Sequence, residues 1–424
     1  MHEFLLILGL LAATAAPVAA QSLPELMAAA RDHDLGLAVT RAESGQRAAE
    51  VGLAGAGLDP SLTVSGGYTR NQTETVVQLP GEAGMPGQRA TIVPFDQLQA
   101  GVTLAVPLLD LGARRQVRAA AAARDAALAT VDAVAAETDR AVVRAYFGWV
   151  GGTALVVSAR AAGRTAADNL AVVEQRVAAE LASRLDVARA QAAIAEARQA
   201  QAAAELVVAT ARRQLATLTG LELAGDAPAL PEATDAEAAL ATWLGALPRS
   251  PEVRAAQAQQ RAAVAGVAAA RAGWLPVLGL TASEGWSNAA GFGESLVGSI
   301  GVSASWRLDL RTPRQVAVAR AEVAVAAARA ARAAQDARDR VTDAWNGVVA
   351  QRVTVEAAVA RTEAADEAAS VAATRFGAGN ATQLEVVQAQ RDALAAQVTL
   401  VQARAELAAG RALLRLAAGR EVTP

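Results

Sequence analysis

The chain has 424 residues, 53% of them hydrophobic but only 3% aromatic, so much of its apolar content is alanine, which favours long helices in close contact over a bulky core. All 39 basic residues are arginine, against 42 acidic ones, and a net charge of -3 with interspersed signs argues against a nucleic-acid partner. The absence of cysteine excludes disulfides, thiolate metal sites and a lipid-anchored mature N-terminus, and His2 and His33 alone leave no basis for a histidine triad or metal site; no cofactor is expected.

Phe4 to Ala15 is apolar and is followed by Pro17-Val18-Ala19-Ala20. A bilayer span needs about 20 apolar residues, so 1–20 reads as a secretory signal peptide cut after Ala20. Its leading residues, His2 and Glu3, lack the usual positive charge, and the competing reading is a buried N-terminal helix. No later stretch reads as a membrane-spanning helix, so any membrane crossing falls to strands.

Gln21 to Ala56 reads as a helix, ended by Gly52, Gly55, Gly57 and Asp59-Pro60. From Ser61 to Arg70, Leu62, Val64, Gly66 and Tyr68 alternate with small polar residues, which is a strand. Residues 71–94 form a polar loop rich in Gly and Pro. Gln97 to Val106 alternates again, and Pro107 is expected to stop it. A proline-free helix then runs from Asp110 to about Val177, some 100 Å long at ~1.5 Å per residue. The chain turns near Glu180–Ser183 and a second helix returns to Thr219-Gly220. A connector follows, with Pro228, Pro231, Pro248 and Pro251 and an amphipathic helix at 236–247.

The same order then recurs. Pro251 to Gly273 is helical and ends at Trp274-Leu275-Pro276, an echo of Leu58-Asp59-Pro60. Strands at 277–287 and 295–306 precede a long helix at 314–376 and its return partner at 381–418. In that last helix Leu384, Val387, Leu394, Val398, Val401, Ala405 and Ala408 step by three and four, broken only by Arg391, and Leu400, Leu407 and Leu414 form a second line. Two apolar lines imply neighbours on two sides. Leu185-Asp186-Val187 precedes Leu384-Glu385-Val386 by 199 residues, as Gln191 precedes Gln390. The chain is a tandem duplication. The expected partition is 1–20 signal peptide, 21–220 first repeat with its helical hairpin at 110–220, 221–250 connector, and 251–424 second repeat with its hairpin at 314–419.

Strands of about ten residues with one apolar and one small polar face suit a barrel wall between lipid and water. Tyr68, Phe95, Trp274, Trp286 and Trp306 fall at or near strand ends, where aromatic girdles lie. The bland alternative is a half-buried sheet in a soluble protein. Four strands cannot close, since about eight is the smallest barrel, so strands must combine between chains. Glu284 falls on the apolar phase of its strand, so it lies above the lipid or the register is off by one.

The passages GVTLAVPLLDLGARRQV at 101–117 and GVSASWRLDLRTPRQV at 301–316, with the tip segments AELASRLDVARAQ and GAGNATQLEVVQAQ, carry a resemblance. The chain resembles the outer-membrane efflux protein family, the TolC-like channel-tunnels of tripartite efflux pumps and type I secretion systems. The resemblance implies a mainly α chain with transmembrane β structure, giving four strands to a homotrimer's twelve-strand β-barrel and helical hairpins to a periplasmic α-barrel. It places the protein in the Gram-negative outer membrane, among lipid, reaching into the periplasm. It also implies a periplasmic adaptor (a membrane fusion protein) and an inner-membrane pump of RND or ABC type as partners. Drugs, metal ions and secreted polypeptides all leave through tubes of this kind.

Under the same resemblance, the adaptor-contacting tips are Glu180, Leu181 and Ser183 in the first hairpin and Gly377, Gly379 and Thr382 in the second. Relatives often carry Gly where Glu180 stands. The pore gate maps to Glu385 and Gln388, with Asp186 as the first-repeat counterpart; Glu385 is acidic and Gln388 is not. Read locally, Glu385 is equally a carboxylate favoured by a helix N-terminus. The function implied is a passive export conduit, not an enzyme, since no nucleophile–base, metal or phosphate constellation appears. The rival reading is a periplasmic coiled-coil adaptor or a structural interaction protein of an export complex; two equal hairpins, each behind its own strand pair, disfavour it.

Overall fold

The computed structural model describes residues 22–81, 87–223, 225–232 and 235–420; the expected signal peptide at 1–20 lies outside the described residues. The chain forms two compact units. One, the sheet unit, spans 41–129 and 255–332; the other, the helical unit, takes 130–254, 333–424 and the N-terminal segment.

The sheet unit holds β1 (Ser61–Arg70), β2 (Thr75–Leu79), β3 (Gln88–Val93), β4 (Asp96–Asp110), β5 (Val277–Ser287) and β6 (Leu296–Ser305). The main sheet is antiparallel in the order β1-β4-β5-β6, so β1 and β6 are its edges. Its register aligns side-chain phase across all four strands. Val64 faces Val102, Val102 faces Glu284, and Glu284 faces Gly298. One row nearer the helices stand Leu62, Leu104, Ala282 and Ile300. Neighbouring side chains alternate faces, so the other face collects Thr63, Ser65, Thr103, Thr281, Ser283 and Ser299. The Ser283 and Ser299 hydroxyls meet across the strands at 2.9 Å. A slip of one residue would invert this arrangement, so Glu284 does stand on the apolar face.

Two sequence expectations change here. Residues 71–94 are not all loop, because Thr75-Val-Val-Gln-Leu and Gln88–Val93 pair as a separate β2–β3 hairpin. These runs are β-branched, and only their Gly- and Pro-rich surroundings read as loop. Nor does Pro107 end β4, which continues to Asp110. Pro107 sits opposite Gly279, and the register shifts between Pro107 and Leu109. A bulge there accommodates the missing N–H.

The helices are α1 (Leu23–His33), α2 (Leu35–Ala56), α3 (Leu111–Ala178), α4 (Arg184–Thr219), α5 (Leu240–Leu244), α6 (Pro251–Arg271), α7 (Arg311–Gly377) and α8 (Gln383–Ala417). The expected single helix from 21 to 56 is broken at Asp34, whose carboxylate accepts the Leu37 N–H at 2.7 Å and starts a new helix. The third long helix begins at Arg311, three residues before the expected start. Asp309 accepts the N–H groups of Arg311 and Thr312 at 3.2 and 3.0 Å, and Pro313 suits a first turn. In the connector, Gly245 and Pro248 reduce the expected helix at 236–247 to one turn plus a 3-10 turn at Leu247–Arg249.

The helical unit has repeated cores. In the first, Leu26 and Met27 of α1 pack with Val142 and Trp149 of α3 and Leu215 of α4. In the second, Trp243 of α5 packs with Val341 and Val348 of α7 and Leu414 of α8. Val142 and Val341, Trp149 and Val348, and Leu215 and Leu414 are each 199 apart and each buried. The duplication is therefore present in packing as well as in spelling. One helix, α3, does contain an 18-residue window apolar enough to cross a membrane, contrary to the sequence reading; 44% of that window is buried inside the protein. Its alanine and valine content serves helix packing.

Candidate channel wall, tips and charge clusters

The five aromatics divide between the two ends of the sheet. At the loop end, the Tyr68 hydroxyl donates to Asp96 at 2.8 Å, Arg70 pairs with Asp96 at 2.6 Å, and the Arg70 guanidinium lies 5.8 Å from the Phe95 ring centre. Trp286 pairs with Leu296 at the same end. At the helix end, Trp306 donates its indole N–H to the Trp274 carbonyl at 2.8 Å. Val277 to Trp286 spans roughly 30 Å at ~3.3 Å per residue. Tilted, that length suits an apolar band about 25 Å tall.

The tips share one geometry. Glu180 has φ +60, and the next residue, Leu181, donates its N–H back to Arg176 O at 2.8 Å. Gly379 has φ +80, and Asn380 donates to Arg375 O at 2.8 Å. Both are left-handed helix terminations, and Glu180 occupies the position that glycine fills in the second copy. Leu181 is 69% exposed. Behind the tips Val173, Ala190, Phe376 and Val386 form a small core that joins the hairpins. The Arg176 guanidinium lies 4.4 Å from the Phe376 ring centre and also donates to the Phe376 carbonyl.

Each return helix opens on a capped turn. The Ser183 hydroxyl accepts the Asp186 N–H at 3.3 Å, and the Ser183 N–H donates to the Asp186 carboxylate at 2.9 Å. Hydrogen bonds from the Ser183 backbone and then its side chain hold the Asp186 carboxyl below its ordinary value. In the second copy Thr382 accepts the Glu385 N–H at 3.3 Å and its hydroxyl donates to the Glu385 carboxylate at the same distance. Glu385 thus has a local capping role whatever else it does. Glu385, Gln388 and Asp392 line one hollow together with Arg361 of α7. Asp392 escaped the sequence reading, although its spacing of seven from Glu385 puts it on the same helix face.

Two consecutive charges of α3, Asp139 and Arg140, lie deeper. Asp139 of α3, only 3% exposed, pairs with Arg31 of α1 at 2.5 Å. The adjacent Arg140 pairs with Glu252 of α6 and, at 2.5 Å, with Glu137. Burial pulls the Arg140 pKa down, but the Glu252 and Glu137 carboxylates outweigh it and hold it up. No local pattern in sequence announces this pairing.

The family model described as "Outer membrane efflux protein" matches residues 26–221 and 245–420. The chain belongs to the outer membrane efflux protein family. It is 32% identical over 398 residues to Protein CyaE of Bordetella pertussis, spanning 89% of this chain and 79% of that one. It is 30% identical over 267 residues to Outer membrane efflux protein BepC of Brucella suis, covering 59% of this chain and 58% of BepC. Among solved structures, VceC of Vibrio cholerae superposes with TM-score 0.76 at 21% identity, covering 94% of this chain and 96% of that one. The open state of the Neisseria gonorrhoeae MtrE channel gives 0.73 at 22% identity over 94% and 89%. These likenesses establish the fold.

As an outer membrane efflux protein, the chain is a passive channel of the outer membrane that extends into the periplasm, not an enzyme. TolC-like channels of this family form trimers and work in tripartite efflux or secretion systems.

Proposed function

We propose that three copies close a twelve-strand barrel, with β6 of each pairing with β1 of the next, and that their helical hairpins enclose a periplasmic conduit. The observation that carries this reading is the main sheet. It has four strands, a face whose only charge away from the strand ends is Glu284, and an edge at each side. Hydrocarbon tolerates neither an open edge nor an unpaired ladder, and a sheet of this size cannot close on itself. The five aromatics then form the two girdles. Residues 1–20 act as a signal peptide, 21–220 and 251–424 as the two repeats, and 221–250 as the connector between them.

In this arrangement the tips at Glu180, Leu181 and Ser183 and at Gly377, Gly379 and Thr382 meet a periplasmic adaptor. An inner-membrane pump of RND or ABC type supplies the energy. Glu385 and Gln388 face the narrowed pore, and Asp186 supports the same region. Three Glu385 carboxylates form a ring that favours cations and repels itself as the pore narrows. Asp392, on the same face, adds a second ring. The exposed Leu181 and the left-handed turns support an outward-facing, preformed tip.

The test is planar-bilayer conductance of the purified protein and of Glu385→Ala. Because the chain has no cysteine, a cysteine in β1 paired with one in β6 gives an unambiguous crosslink. The expected result is small cation-selective openings, larger or less selective in the variant, from a protein whose crosslink ladder stops at three. Channels indifferent to Glu385→Ala would discard the gate assignment. Folded protein that neither conducts nor crosslinks would overturn the barrel.

A further inference from the structure

The loop that joins β5 to β6 does not stand away from the sheet. Its Ala289, Ala290 and Glu294 border an open hollow of about 750 Å³ together with Ser65, Gln99 and Gly285. Ser65 and Gly285 both stand opposite Gly101, so they share the polar face. The loop therefore overhangs that face at the end of the sheet away from α3. Two contacts hold it there. The Asn288 amide donates to the Asp96 carbonyl at 2.7 Å and accepts the Leu98 N–H at 2.8 Å, which ties the loop to β4. Gly291 has φ +60 and lies against Ile92 of β3, whose Cδ1 would be 2.6 Å from an added Cβ. The left-handed backbone and the close approach both favour glycine.

The face beneath the loop is electrically blank. From the loop end to the bulge at Pro107, the positions on this side of β1, β4, β5 and β6 hold Gly, Ser, Thr, Ala, Gln and Val, none of them ionisable. Small, neutral side chains leave a wide passage with no ion preference of its own. Among the described residues, Glu294 is the one ionisable side chain bordering the hollow. It is exposed, and its carboxylate has no hydrogen bond or ion pair with a described residue. A fixed carboxylate over a neutral wall is not compensated by the protein, so it draws its counter-ions from the passage.

Resting on the barrel reading above, we infer that the β5–β6 loop is an inward lip of the outer mouth, and that Glu294 on each lip sets the ion preference there. The polar face lines the lumen, so three lips narrow the mouth and hold three carboxylates over it. This constriction is distinct from the one assigned to Glu385, and it is held open to a fixed width by Asn288 and by the contact of Gly291 with Ile92.

The experiment is single-channel conductance and reversal potential in a potassium chloride gradient, read in both the wild-type and the Glu385→Ala backgrounds. Glu294→Gln should lower the cation-to-anion permeability ratio about threefold, the change in local ion concentration for one kT of potential. Because the chain has no native cysteine, Glu294→Cys can be labelled at a single site and the labelling confirmed by mass spectrometry. A sulfonate-bearing methanethiosulfonate should restore the cation preference, and a trimethylammonium-bearing one should reverse it. Gly291→Val keeps the carboxylate but puts a β-branched residue at a left-handed position, which should unseat the lip and enlarge the openings. Permeability ratios indifferent to Glu294→Gln and to both labels, in both backgrounds, would overturn the role of Glu294. Openings of unchanged size in Gly291→Val would overturn the lip. Conducting trimers with either result sink only this inference, whereas protein that neither trimerises nor conducts sinks the barrel beneath it.

Discussion

Replacing Glu252 by alanine tests the buried ionic cluster of the helical unit. Glu252 lies in the first turn of α6 at 21% side-chain exposure and faces Arg140, at 9%. It also accepts a hydrogen bond from the Ser250 hydroxyl at 2.5 Å and lies 3.9 Å from Arg340. Without it, Arg140 keeps only Glu137, which is 61% exposed, and the Arg140 Nε has no partner as it is. Removing one member of a buried pair costs about 3–5 kcal/mol, and the surviving Glu137 contact puts the expectation near ~3 kcal/mol. The double variant Arg140→Leu with Glu252→Leu removes both charges and should recover to within about 1 kcal/mol of wild type. Guanidinium unfolding in detergent, followed by far-UV circular dichroism of the wild type, the single variant and the double variant, reads both values.

The pH dependence follows from the same contacts. Burial raises the Glu252 pKa, but the Ser250 and Arg140 hydrogen bonds outweigh it and hold the group below its ordinary 4.5. A depressed carboxylate contributes its full stability above the ordinary value and loses it as pH falls through the folded value. The gap between wild type and Glu252→Ala should therefore be widest near neutrality and shrink below about pH 4.5. A single variant costing under about 1 kcal/mol would show a solvent-screened pair. A double variant as damaged as the single would refute the unpaired-charge argument.

At the first tip, Glu180→Gly relieves a left-handed residue with a side chain and should raise the unfolding midpoint by the equivalent of about 0.5–1 kcal/mol, while Gly379→Ala should lower it by about 1 kcal/mol; no change at either position would mean the tips relax freely. Leu215→Ala and Leu414→Ala, both at 0% exposure and 199 residues apart, should each cost about 3 kcal/mol in the same assay, and a loss confined to one of them would break the equivalence of the two cores.

What the sequence made legible was whatever repeats over a short period. The alternation through Leu62, Val64 and Tyr68 and the heptads through Leu400, Leu407 and Leu414 are local signals, because each residue's face is set by its own element. The phase of Glu284 was legible for the same reason, while the choice between a misplaced register and a true place on the apolar face needed the pairing with Val102 and Gly298. The β2–β3 hairpin was hidden because its runs are short and Gly- and Pro-rich segments flank them. The bond between Arg140 and Glu252 joins residues 112 apart, a distance at which no periodic pattern operates. Asp392 is a different case, since its seven-residue spacing from Glu385 is itself a local signal.

The two unpaired edges of the sheet also bear on how the protein reaches its membrane. In the barrel proposed above, a lone copy would carry two rows of unsatisfied peptide groups into hydrocarbon, so the bilayer rejects the monomer as firmly as it accepts the closed ring of three. Insertion and association are then a single event. Its rate rises steeply with the number of copies waiting at the membrane surface. A cell making few copies gains disproportionately few channels, and a defective copy that still pairs at its β1 and β6 edges disables two sound ones with it.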